Sequence, residues 1–190
     1  MANGLEKYWA DPSVNPKRQF KWYMSMGALS DGLPSWVVKT ASKPSFTIGE
    51  SVHKYINHTF YYPGRIEWST IDITLVDPVS PDASQALFGA IQAMGYRFPD
   101  MVGLDGVAAS AGVTFSKAAA TTTLGEIKLR QISGGDPTDG SIKTIEEWTL
   151  RNAWIKDVKF GDLSYENEDL TEITVQLRYD WAELTTGNDL

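Results

Sequence analysis

From Glu172 to Trp181 apolar and polar residues alternate without a break: Ile173, Val175, Leu177, Tyr179 and Trp181 on one parity, Glu172, Thr174, Gln176, Arg178 and Asp180 on the other. Successive side chains of an extended strand point to opposite faces, so this pattern predicts a strand with one dry face and one wet one. The same alternation recurs at Ile71, Ile73 and Leu75 against Thr70, Asp72 and Thr74, and at Phe20, Trp22, Met24 and Met26 against Lys21, Tyr23 and Ser25. The runs 124–132 and 142–151 flank Ser133-Gly-Gly-Asp-Pro-Thr-Asp-Gly-Ser141, whose Gly, Asp and Pro supply the backbone angles of a turn. These runs predict a β-hairpin, and with 153–160 and 172–181 a four-stranded antiparallel meander.

One segment carries helical periodicity. Ser80-Pro81-Asp82 reads as an N-cap, a first-turn Pro and a first-turn acid, followed by Ala83, Leu87, Ala90, Ile91 and Met94 on one stripe and Gly95 as a stop. Strands on both sides of a single helix of about 14 residues predict a mainly β fold. Two antiparallel sheets would form a sandwich or barrel with that helix packed against it. No repeat or linker divides the chain, so residues 1–190 read as a single domain.

Two stretches fit poorly inside a compact β domain. Residues 43–65 hold three Tyr, two Phe, two Ile and both histidines. That is too long and too aromatic for an ordinary connection and predicts packing against another chain. Residues 101–123 are mostly Ala, Gly, Ser, Thr and Val and read as a flexible loop without core-forming bulk.

Composition excludes whole classes of chemistry. With no Cys there can be no disulfide, thiolate metal site, iron–sulfur cluster or cysteine nucleophile. Residues 1–98 carry 9 Lys+Arg and 8 Asp+Glu, whereas residues 99–190 carry 8 and 16. An acidic second half without a basic cluster argues against nucleic-acid binding, which depends on cations that displace counterions from phosphates. There is no run of about 18 apolar residues, and the polar first residues read as no signal peptide.

The usual catalytic signatures, Gly-x-Ser-x-Gly, a phosphate-binding loop, His-Glu-x-x-His and Gly-x-Gly-x-x-Gly, are absent. No catalytic residue, metal ligand or cofactor is expected. His53 and His58, five apart in an extended segment, are expected on opposite faces and not as metal ligands. Asp136-Pro-Thr-Asp-Gly140 lacks the alternating acids and closing Glu of a calcium loop and reads as a turn. Glu146 and Glu147, adjacent in a strand, cannot form an acid/base pair and read as solvated or intersubunit charges. Glu166-Asn-Glu-Asp169 reads as a solvated turn, and the Asn57-His-Thr59 sequon as incidental.

Several short motifs point to a family when taken in order. They are Phe20-Lys-Trp-Tyr23, Leu33-Pro-Ser-Trp36, Lys43-Pro-Ser-Phe46, Tyr62-Pro-Gly-Arg-Ile-Glu-Trp68, Glu147-Trp-Thr-Leu150, Trp154, Phe160-Gly-Asp-Leu163 and Arg178-Tyr-Asp-Trp181. Over about residues 18–182 their order around one central helix resembles the tail tube protein of contractile-tailed bacteriophages of the T4 kind. That family shares its fold with the inner-tube protein of type VI secretion.

The resemblance implies hexameric rings stacked into a hollow tube inside a contractile sheath, in a virion assembled in the host cytoplasm. The implied partners are further copies of the chain, the sheath protein, and baseplate and terminator proteins, with genomic DNA passing through unbound and no membrane contact. The implied loop gripping the next ring falls on 43–65, with Phe46, Ile48, Tyr55, Ile56, Phe60 and Tyr61 as ring-to-ring candidates. Six copies at −7 each put −42 on a ring, and acids facing the channel would repel DNA. Asp72, Glu172 and Gln176 are candidates for that wall. The alternatives are a tube-initiating subunit, a tube of a related injection or type VI system, a monomeric β-barrel that binds a small ligand, and an enzyme.

Overall fold

A computed structural model describes residues 16–27, 33–98, 115–133, 142–166 and 168–187. Its ten strands are β1 (Trp22–Met26), β2 (Val38–Ala41), β3 (Phe46–Tyr55), β4 (His58–Trp68), β5 (Ile71–Val76), β6 (Ile127–Ile132), β7 (Thr144–Arg151), β8 (Trp154–Lys159), β9 (Glu172–Arg178) and β10 (Trp181–Thr186). Helix α1 (Ala83–Ala93) and helix α2 (Lys117–Leu124) stand between β5 and β6. The strands form two four-stranded antiparallel sheets, ordered β1-β6-β7-β10 and β2-β5-β9-β8, and a separate hairpin β3-β4. Sequence expectation and structure agree on a mainly antiparallel β fold. Among the described residues the sheets make an open sandwich and not a closed barrel, since β1, β10, β2 and β8 are all edges.

Alternation builds the core as anticipated. Met24, Met26, Ile127, Leu129 and Leu150 from one sheet meet Ile71, Ile73, Leu75, Ile173, Val175 and Leu177 from the other. Leu87 of α1 and Leu124 of α2 close the cluster. The void left among these side chains holds about 10 Å³, a close-packed interior.

The 124–132 and 142–151 runs do pair as β6 and β7; the turn between them, 134–141, lies outside the described residues. The four-stranded meander is not formed. The chain leaves the first sheet after β7 and enters the second with β8, then returns from β9 to β10. Two corners make those crossings and are bonded to each other. Asn152 adopts φ +55°, a left-handed conformation that Asn tolerates better than most residues. Its amide donates to the Asp180 carboxylate at 2.8 Å, while the Asp180 N–H donates to the Arg151 carbonyl at 3.0 Å. The alternation of 172–181 therefore spans a corner. Tyr179 still points into the core, but Trp181 begins a new strand in the other sheet and is exposed.

Both helix expectations need correction. α1 starts later than the Ser80 cap predicted, because Asp82 itself is the N-cap and accepts from the Gln85 N–H at 2.9 Å. Asp77 adds a second carboxylate, accepting from the Ala83 N–H at 3.1 Å and the Ser84 hydroxyl at 2.7 Å. Among the described residues the expected single α-helix is two, since the small-residue stretch is helical over Lys117–Leu124. Ser116 caps it by accepting from the Ala119 N–H at 3.1 Å, Ala118 to Ala120 favour helix, and Gly125 ends it at φ +67°. Residues 101–114 of that stretch lie outside the described residues.

Candidate assembly interface

The long aromatic stretch is a hairpin. Phe46 pairs with Trp68, Ile48 with Ile66, Val52 with Tyr61, His53 with Phe60 and Tyr55 with His58. A bulge between Ile48 and Glu50 brings Gly64 against Gly49 so closely that a Cβ on Gly64 would lie 2.9 Å from the Gly49 carbonyl oxygen. At about 3.3 Å per residue a ten-residue strand reaches about 30 Å from its base. The base is anchored by aromatic contacts. The Phe46 and Trp68 ring centroids lie 5.2 Å apart edge-on, and Trp68 and Tyr179 lie 5.9 Å apart. Burial raises the pKa of the Tyr179 phenol, against the opposing effects of the Ser45 amide and Arg178.

All six ring-to-ring candidates lie on this arm and are exposed. Phe46, Ile48 and Tyr61 share one face with Val52 and Ile66, which sequence reasoning passed over. Tyr55 and Phe60 share the other face with Tyr62, also passed over. Cross-strand register groups these residues, and single-chain spacing could not. Register also corrects the histidines: the two-residue turn Ile56-Asn57 folds the chain so that His53 and His58 are diagonal neighbours on one face. Ile56 forms the tip at φ +52° and 81% exposed, a costly conformation for a β-branched side chain.

The two adjacent glutamates are neither solvated nor idle. Glu146, 7% exposed, receives Lys17, the Lys43 ammonium at 2.7 Å and the Trp148 indole N–H at 2.6 Å. Burial works to raise its pKa, but these three donors outweigh it and hold the carboxyl at about 2. On the opposite face Glu147 binds Arg130 and meets Lys128 at 3.3 Å. Its pKa is lowered because those cations prevail over burial. The network runs on through Glu126 to Arg151, which meets Glu183 at 2.8 Å, while Arg130 lies 5.5 Å over the Tyr23 ring. The outer face of the β1-β6-β7-β10 sheet is thus covered by paired charges.

The three channel candidates lie together on the outer face of the other sheet. Asp72 and Gln176 are cross-strand partners, with the Gln176 amide donating to the Asp72 carboxylate at 2.9 Å, and Glu172 pairs with Lys39. Among the described residues no three His, Asp or Glu converge as metal ligands. No helix there is long and apolar enough to cross a membrane.

A cleft of about 900 Å³ opens beside the hairpin base. Trp68, Met94, Phe115, Trp154 and Ile155 supply its apolar wall, Lys117, Lys156 and Arg178 its cations, and Glu67 and Asp180 its acids. Lys117 is bound to Asp180 at 2.6 Å, whereas Lys156 and Arg178 form no ion pair among the described residues.

Comparison with solved structures places this architecture. A chain of the anti-feeding prophage cap, a tube-terminating cap, matches 98% of this chain and 99% of its own at TM-score 0.62 and 13% identity. A chain of the sheath/tube terminator of an extracellular contractile injection system matches 92% and 99% at TM-score 0.60 and 12% identity. One from the sheath–tube complex of such a system matches 98% and 99%, also at TM-score 0.60 and 12% identity. The fold is the tube-type fold of contractile tails and injection particles. No family model matches the chain, and no curated protein matches it by sequence.

Proposed function

We propose that the chain is a structural subunit of a contractile tail or injection particle, whose copies form six-membered rings that stack into the inner tube or close its end. The observation that carries this reading is the β3-β4 arm. An isolated two-stranded hairpin is marginal in water, and this one bears large apolar side chains on both faces that stay exposed among the described residues. A second copy laid along it would bury Phe46, Ile48, Tyr61, Tyr55 and Phe60, with Ile56 leading. The near-complete mutual coverage with tube and terminator chains supports a subunit of that kind.

In this reading the four sheet edges pair between neighbours and so become part of a β-lined wall. Asp72, Glu172 and Gln176 would then face the channel, where an acidic surface lets DNA slide without sticking. Sheath, baseplate and terminator proteins are the partners, and the particle is the place of action. The role is structural and not catalytic. A barrel that holds its ligand between the sheets is disfavoured, because the void there is about 10 Å³ against the roughly 300 Å³ that a small-molecule site needs, and the cleft of about 900 Å³ lies outside the sandwich beside the hairpin base.

Negative-stain electron microscopy of the purified chain across a concentration series, with and without added tail baseplates, tests the proposal. Rings or hollow tubes are expected. A chain that remains monomeric in both arms would refute it.

A further inference from the structure

Resting on that reading, we propose that the β8-β9 loop of one copy seats in the hairpin-base cleft of the next, making a head-to-tail contact distinct from the arm. The loop carries Leu163 and Tyr165, both almost wholly exposed, and Leu170, which is 72% exposed. Among them stand Asp162, Glu166 and Glu168, none ion-paired among the described residues, and Asp169, which is near enough to Lys39 to act on its charge. Apolar side chains held in water beside unpaired acids describe a segment built to enter an apolar, cationic site. The cleft is such a site, with Trp68, Phe115 and Trp154 on its walls and three cations against two acids in its lining: Asp180 is taken up by Lys117, which leaves Lys156 and Arg178 against Glu67.

The loop cannot reach its own cleft by the strands that carry it. β8 begins in the cleft at Trp154 and ends at Lys159, and β9 returns from Glu172 to the cleft at Arg178. The loop therefore hangs from the far end of that pair, about 20 Å away at 3.3 Å per residue. Donor and acceptor on opposite ends of one chain make a heterologous contact, which closes into a ring or continues as a stack according to its rotation. Complementary charge would set the register and speed encounter, while the apolar side chains hold the joint.

Two charge-reversed chains test it. One carries Glu166→Lys with Glu168→Lys, the other Lys156→Glu with Arg178→Glu. Each alone should raise the concentration needed for assembly, read by sedimentation velocity, by about tenfold or more, since like charges then meet at the joint. An equimolar mixture should recover assembly to near wild type, because every loop of one chain then meets a complementary cleft of the other. Tyr165→Ala, at a side chain too exposed to affect folding, should weaken assembly alone. Variants that assemble like wild type, or a mixture that fails to recover, overturn the contact and leave the tube reading standing. A wild-type chain that never assembles, even on baseplates, sinks both.

Discussion

Glu146→Gln should cost the folded, unassembled chain about 2 kcal/mol at neutral pH and almost nothing near pH 2. The carboxylate is buried, and Lys17, Lys43 and Trp148 depress its pKa from 4.5 to about 2. At 1.36 kcal/mol per unit that difference corresponds to about 3 kcal/mol of preference for the charged form in the folded state. Both lysines are roughly half exposed, so water screens part of the attraction and about 2 kcal/mol is the working figure. Gln keeps the shape and can still accept from the indole, so the substitution isolates the charge.

The sign follows from the direction of the shift. A group whose folded pKa is depressed contributes its full stabilisation above its ordinary value and loses it as the pH falls through the folded one. The gap between wild type and Glu146→Gln should therefore be constant from pH 7 to pH 5 and shrink steadily from about 4.5 towards 2. Urea unfolding followed by fluorescence of the seven tryptophans would read it. With a slope of about 2 kcal/mol per molar, the midpoints should differ by about 1 M at neutral pH. A gap independent of pH, or one that widens on acidification, would show that burial and not pairing governs this carboxylate.

Leu87→Ala, which empties a fully buried site between α1 and the sheets, should destabilise by about 3 kcal/mol in the same assay; less than about 1 would contradict a close-packed core. Gly27→Ala should cost at least about 1 kcal/mol. Gly27 stands at φ +54°, and a Cβ there would lie 2.2 Å from the Leu124 carbonyl oxygen, so an unchanged melting temperature would refute the close approach. Ile56→Asn should separate folding from assembly. Asn tolerates the tip's positive φ and should stabilise the free chain by about 1 kcal/mol, while loss of the apolar tip should raise the concentration needed for rings or tubes; a tip that affects neither has no part in stacking.

Strand alternation was legible wherever one face is core, which is why Met24, Met26, Ile71, Ile73, Leu75, Ile173, Val175 and Leu177 could be placed from spacing alone. Corners were not legible, because Tyr179 and Trp181 keep the period of two across a turn that sends them into different sheets. α2 was hidden by composition. Its Ala and Thr read as filler, although Ser116 and Gly125 marked both ends. For the interface, residue type identified the arm, but register decided which residues share a face, and register depends on a bulge at Gly49 and Gly64 and a two-residue turn at Ile56-Asn57. Glu146 escaped because its lysines lie far away in sequence, Lys17 and Lys43 being more than a hundred residues upstream, and Glu147 because its partners Arg130 and Lys128 are brought to it only by the β6-β7 register.

Paired and unpaired charge divide along the lines of folding and assembly. Glu146, Glu147, Arg130, Arg151 and Asp180 are each satisfied within the chain and fix corners and sheet faces. Asp162, Glu166 and Glu168 of the β8-β9 loop and the cleft's Lys156 and Arg178 form no ion pair among the described residues. The apolar residues divide in a similar way among the described residues, one set packed in the core, and another exposed, much of it on the arm and the β8-β9 loop. A monomer selected to function alone would gain solubility by replacing Ile56, Tyr61, Leu163 and Tyr165 with polar residues at little cost in stability. Their concentration on two projecting segments is what the proposed assembly requires, each copy supplying cover for the next.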